Sequence, residues 1–254
     1  MLVMLAEKNS CAGLITIAGS SRHTVERFDG ARWVEIDTPD ENVVITSAGR
    51  AFLAANNIAG LMRDYIYDAQ EGVESQDSTR RFLAEGANAR VFSVGDAPLV
   101  VKEKRPGSHR DLLEGLDRMD YLAYVIEQHC PRWISLPRHY GFLAPKSDLS
   151  RQFLLMEKVD EGVTIGDVLD AGDTPREPHL GEAVVRIFGA VSPDFKEQLR
   201  AQYAELHEHV ENALYQEGHV PDTYLTDMKP YNVIVEPLST PVAAHNFRLT
   251  LIDQ

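Results

Sequence analysis

The chain of 254 residues has little cysteine, little positive charge and no long apolar run, and each shortage excludes something. Two cysteines, Cys11 and Cys130, cannot build a disulfide framework or fill a zinc site by themselves, and they read as reduced packing residues. Lysine and arginine number 25 against 39 aspartates and glutamates, a formal net charge of -14. A field of that sign repels phosphate backbones and anionic lipid, so neither nucleic acid nor a membrane is an expected partner. The opening Met-Leu-Val-Met-Leu-Ala meets Glu7 and Lys8 before it could form a signal core or a membrane span, and a soluble, cytoplasmic protein is expected. What is present is an ordinary globular composition, 44% hydrophobic and 8% aromatic, sufficient for one large domain or two small ones.

Internal repeats and low-complexity tracts are also missing. The composition turns polar over 68–80, which marks a linker at 71–81 and sets off a small β-plus-helix unit over 1–70. Within that unit 14–18 reads as a strand, and 23–28 with 31–36 flank Asp29-Gly30 as a hairpin. Thr46 or Ser47 then offers an N-cap to a helix carrying Phe52, Ala55, Met62 and Ile66 at helical spacing. The stretch 45–53 resembles the closing helix of winged-helix modules, a regulator's feature that the acidic balance opposes. Beyond the linker, 89–94 and 98–103 form a second hairpin, 109–129 a helix, and 138–143 and 153–156 two strands. A long helix over 193–215 ends with Gly218 in the C′ place, and strands at 233–235 and 249–252 bracket a proline-bounded excursion over 236–248.

The informative stretch is Asp227, Lys229, Pro230 and Asn232, in the order Asp-x-Lys-Pro-x-Asn, placed directly before a β-branched strand. Asn232 lies twenty-one residues before the Asp of Leu251-Ile252-Asp253. Taken alone the hexapeptide also suits a surface turn, with Pro fixing φ and Asp or Asn capping the backbone. In its context it resembles the catalytic loop of the eukaryotic-type protein kinase superfamily, followed there by a strand pair and a metal-binding Asp. That resemblance implies an α+β protein of kinase-like bilobal fold, with an antiparallel N-lobe sheet and hinge over 82–160 and a reduced, mainly helical C-lobe over 161–254. It implies Asp227 as base, Lys229 as the cation on the transferred phosphoryl group, and Asn232 and Asp253 as ligands of Mg²⁺.

Further residues extend the resemblance upstream, in the same order. Leu99-Val100-Val101-Lys102 is similar to the strand whose Lys reaches the α- and β-phosphates of ATP, with Lys104 on the same strand face as the alternative. Residues 84–92 resemble a reduced glycine-rich loop, in which Gly86 lets the backbone approach phosphate and Val91 caps adenine. Residues 153–159 are similar to a kinase hinge, with Met156 as gatekeeper and Glu157 and Val159 offering backbone contacts. The helix over 109–129 should supply a carboxylate to hold Lys102; Glu114 is the choice, with Asp117 and Asp120 as substitutes.

The sequence also departs from the family. Leu225-Thr226-Asp227 stands where His-Arg-Asp is usual, so activation by loop phosphorylation is not expected. The sequence stops one residue after Asp253, before any activation segment, which fits either a truncated kinase or a minimal one. The expected activity is transfer of the ATP γ-phosphoryl to a hydroxyl, most naturally of Ser or Thr in a protein, with Ser75, Ser78 or Thr79 as possible sites of autophosphorylation. A small-molecule acceptor, or a pseudokinase scaffold that works through a protein partner bound by 1–70, is the alternative.

Overall fold

The computed structural model describes residues 21–27, 31–37, 41–56, 65, 69, 79–159, 163–170, 178–218, 228–242 and 245–252. The strand expected at 14–18, the Asp29-Gly30 turn, Cys11, Ser75 and Ser78 lie outside them, as do Asp227 and Asp253. The chain divides into two compact units, one formed by Met1–Asp117 with Arg138–Lys158 and the other by Arg118–Pro137 with Val159–Gln254. The mixture of antiparallel sheet and helix is α+β, as the sequence suggests. No helix among the described residues is long and apolar enough to cross a membrane.

The first unit is built on an eight-stranded antiparallel sheet. Its strands are β1 (Ser21–Arg27), β2 (Ala31–Asp37), β3 (Glu41–Thr46), β4 (Arg80–Glu85), β5 (Ala89–Val94), β6 (Leu99–Lys104), β8 (His139–Pro145) and β9 (Phe153–Glu157), in the order β1-β2-β3-β8-β9-β6-β5-β4; the short β7 (Ile134–Ser135) belongs to the other unit. Alternation sorts the side chains by face. Val43, Ile45, Phe92, Val101 and Leu155 point to one side, where helix α1 (Ser47–Ala55) and Tyr65 cover them. Val44, Ala89, Phe142 and Leu154 point to the other, against Leu112 and Leu116 of helix α2 (Leu112–His129). The start of α1 is fixed by Thr46, whose Oγ1 accepts from the Gly49 amide at 3.0 Å and donates to the His139 carbonyl at 2.6 Å. Any Cβ at Gly49 would stand 1.8 Å from the Tyr140 carbonyl oxygen, so the helix can lie on β8 only with glycine there.

Two strands of this sheet depart from the sequence reading. The β-branched run at 43–45, to which the sequence reading assigns no element, is β3, and it pairs with β8. Strand β4 begins at Arg80, inside the stretch read as linker. The cause is burial of a charge: Arg80 is 2% exposed, its Nε and Nη2 donate to the two Glu103 oxygens at 2.9 and 2.7 Å, and its guanidinium lies 3.7 Å from the Phe92 ring centroid. The Tyr65 hydroxyl also donates to Glu103. Burial opposes the charge on Arg80, but the Glu103 carboxylate more than offsets it and raises the Arg80 pKa; burial first, then Glu103, raises that of Tyr65.

The second unit holds a four-stranded sheet in the order β10 (Val163–Thr164), β11 (Val233–Val242), β12 (His245–Leu251), β7, with β12 and β7 parallel. Helices α3 (Ile165–Asp170), α4 (Pro178–Phe188) and α5 (Pro193–Gln216) accompany it. Helix α5 starts where Ser192 accepts from the Phe195 amide at 3.1 Å, and it buries Leu199, Leu206, Val210 and Leu214 as the spacing predicts. Gly218 beyond its end has φ +80°, the left-handed value expected of a C′ glycine. The excursion expected over 236–248 is not a loop: β11 and β12 continue past it as one hairpin, from Val233 opposite Leu251 to Val242 opposite His245. An irregularity between Pro237 and Val242 absorbs the prolines, which have no N–H to give the ladder. Cys130 is half-buried, and burial pushes its thiol up to about 11, in keeping with a packing role.

Candidate active site

The Lys-Pro-x-Asn segment of the second unit is held at each backbone turn. Met228 is buried, and its carbonyl accepts from the Tyr203 hydroxyl of α5. Lys229 precedes a single 3-10 turn, Pro230–Asn232, with proline in the first position where its missing N–H costs nothing. The Asn232 amide donates to the Lys229 carbonyl at 2.8 Å, and the Asn232 carbonyl accepts from the Ile252 amide at 2.9 Å. Tyr231 is fixed from α3: its hydroxyl donates to Asp170 at 2.5 Å, and its ring fills the space above Gly166, where a Cβ would approach to 2.3 Å. Asn232 is half-buried and Lys229 exposed. The structure thus brings Lys229, Asn232 and the residue preceding Asp253 together, while Asp227 and Asp253 themselves lie outside the described residues.

The first unit carries the other set. Lys102 sits in the middle of β6, opposite Val91 on β5 and Leu154 on β9, so these three share a sheet face. Val100 lies opposite Met156, and His139 opposite Met156, on the same face by alternation. Lys104 shares the alternation one step closer to the strand end, opposite Ala89. Lys102 is distinguished from it by electrostatics: burial, reinforced by the Lys102 charge, holds the fully buried His139 imidazole down to about 4, hence neutral at physiological pH. Glu114, Asp117 and Asp120 lie on α2, the helix whose Leu112 and Leu116 pack against this face.

At the turn between β4 and β5 the Gly86 amide donates to the Ala89 carbonyl at 2.8 Å. A Cβ at Gly86 would find only that oxygen, at 3.7 Å, so the fold itself does not demand glycine there. In the segment read as a hinge, the Glu157 amide donates to the Arg138 carbonyl at 2.8 Å, and its carboxylate accepts from the Arg138 amide at 3.1 Å. Lys158 is tied to the Pro98 carbonyl at 3.3 Å, and Val159 follows, half-buried. Among the described residues no group of three or more His, Cys, Asp or Glu side chains is arranged to hold a metal ion. Sequence reasoning missed the residues that hold the Lys-Pro-x-Asn segment, Tyr203 and Asp170, because neither belongs to a motif and each acts across a distance in sequence.

No protein-family model and no curated protein matches the chain. Among solved structures, 74% of the chain is similar to WaaP in complex with acyl carrier protein, at 16% identity and a TM-score of 0.38, over 64% of that protein's chain. The same share is similar to a microcompartment-associated aminopropanol kinase, at 15% identity and a TM-score of 0.35, over 68% of its chain. The chain thus spans less than two thirds of the first of these relatives.

Proposed function

We propose that the chain is an ATP- and Mg²⁺-dependent phosphotransferase of kinase-like bilobal fold that transfers the γ-phosphoryl group to a hydroxyl. The reading rests on one observation above the others: the main-chain bond from Ile252 to Asn232 ties the loop that follows Asp227 to the strand end that precedes Asp253. A twenty-residue separation in sequence, from Asn232 to Ile252, therefore closes to adjacent backbone, and closeness of this kind supports a pair of cation ligands at 232 and 253. Asparagine and aspartate supply hard oxygen donors, so Asn232 and Asp253 fit Mg²⁺, which when bound neutralises charge on the nucleotide phosphates.

The chain's own residues then have distinct tasks. Asp227 orients the acceptor hydroxyl and takes its proton as the new oxygen–phosphorus bond forms; the bridging bond to the leaving ADP breaks in the same displacement. Lys229 stands beside the transferred group and Lys102 against the α- and β-phosphates, held by a carboxylate of α2 for which Glu114 is the choice. Val91, Val100 and Met156 give adenine an apolar face, and the backbone at Glu157 and Val159 lies at its edge. Serine or threonine hydroxyls of a protein are the favoured acceptors, since a Lys two residues after the Asp accompanies them in the family, and small hydroxyl-bearing compounds are the alternative. The setting is cytoplasmic, and any protein partner is expected to bind through part of 1–70. Transfer of label from γ-labelled ATP, lost in Asp227→Ala, tests the reading.

A second reading, a nucleotide-sensing pseudokinase, is favoured by the turn at Gly86, which has one glycine and spends its amide on Ala89. Thermal stabilisation by ATP with Mg²⁺ but no turnover would select it; no stabilisation at all would argue for a scaffold.

A further inference from the structure

The turn between β4 and β5 is not held by glycine content but by a segment reaching over from beyond β6. Arg105 makes three contacts there: its amide donates to the Asn88 carbonyl at 2.9 Å, its Nη1 donates to the Gly86 carbonyl at 3.1 Å, and the same nitrogen pairs with Glu85 at 3.0 Å. Ser108 adds a bond from its Oγ to the Asn88 side chain at 3.2 Å. Both ends of this segment are anchored on one buried residue, because the Lys104 amide donates to the Gln152 carbonyl at 2.9 Å and the Leu112 amide to the Gln152 Oε1 at 2.8 Å. The strap over 105–111 is thereby fixed to the sheet at its start and to the first turn of α2 at its end.

We infer that Arg105 is a positioning residue for the nucleotide phosphates, holding the 85–88 turn through Gly86 and Glu85; this rests on the phosphotransferase reading. The physical reason lies in the sequence of the turn. A loop with several glycines is free to close on phosphate and loses entropy when it does. This turn, Glu85-Gly-Ala-Asn88, has one glycine and is held instead by an ion pair and two carbonyl bonds from a single side chain and its backbone. An exposed ion pair alone would contribute little, but one guanidinium nitrogen bridging a carboxylate and a carbonyl ties two points of the turn at once.

The test is calorimetric titration of the full chain with ATP plus Mg²⁺ and, separately, with adenosine. Arg105→Ala should weaken ATP binding about ten-fold and leave adenosine within about two-fold, because the turn faces phosphate and not the nucleoside. Arg105→Lys should recover part of the loss, and the KM for ATP should rise in Arg105→Ala while kcat holds. Arg105 is about two-fifths exposed, so the variant is expected to fold, which its thermal transition verifies. Equal weakening of ATP and adenosine, or unchanged ATP affinity, overturns the inference while leaving the phosphotransferase reading in place. Absence of ATP binding by the wild type overturns both.

Discussion

The Asn232 carbonyl accepts the Ile252 amide at 2.9 Å, and this one bond joins the end of a motif to a strand that begins thirteen residues later at His245. It involves only main chain, so Asn232→Ala leaves the bond itself in place. The variant should still fold, as its thermal transition verifies, and reduce phosphoryl transfer by about a hundred-fold or more. A matching loss of stability and activity would show that Asn232 acts through the fold alone.

Gly166 tests the support of the same segment from below. A Cβ at this position would come within 2.3 Å of the Tyr231 ring, whose hydroxyl is held by Asp170. Gly166→Ala should force the ring away and cost about 1–3 kcal/mol of stability, as overpacking does. Activity should fall with it, and Tyr231→Ala in the Gly166→Ala background should restore part of the stability in chemical denaturation.

The Arg80–Glu103 pair should show the asymmetry of buried charges. Glu103→Leu leaves Arg80 buried without its counter-charge, and should destabilise by about 3–5 kcal/mol. Removing both charges, in Arg80→Met with Glu103→Leu, should be milder than Glu103→Leu alone, because no uncompensated charge remains. Urea denaturation of the wild type, Arg80→Met, Glu103→Leu and the double variant completes the cycle that measures the coupling.

His139 gives the stability of the first unit a pH dependence of defined sign. Burial, with Lys102 as the second cause, lowers its folded-state pKa to about 4, below the unfolded value near 6.5. Above about 6.5 both states are neutral at this residue and its contribution is complete. As pH falls from there toward 4 the unfolded state takes up a proton that the folded state refuses, so about 3 kcal/mol of stability is lost across that window. Thermal midpoints between pH 7.5 and 4.5 should fall more steeply for the wild type than for His139→Gln.

Much of this was legible in the sequence, and the exceptions share a cause. The hairpin of β5 and β6, the helices α2 and α5 and the cap at Thr46 follow from alternation, helical spacing and local hydrogen-bonding groups. Strand β4 was hidden because Arg80 looks like a solvent residue until Glu103, twenty-three residues away, neutralises it. The hairpin of β11 and β12 was hidden by Pro237 and Pro241, which argue for a loop unless the ladder shifts register around them. The candidate site shows the same division: Lys229, Asn232 and Lys102 stand in recognisable motifs, whereas Tyr203, His139 and Arg105 matter only through partners distant in sequence.

The central claim is tested most directly by incubating the full chain with γ-labelled ATP and Mg²⁺, alone, with a generic Ser- and Thr-rich protein, and with small hydroxyl compounds. The account predicts transfer of label by the wild type to at least one of these, abolished in Asp227→Ala and greatly reduced in Lys102→Met, with both variants folded. No transfer to any acceptor, or equal transfer by Asp227→Ala, would contradict it.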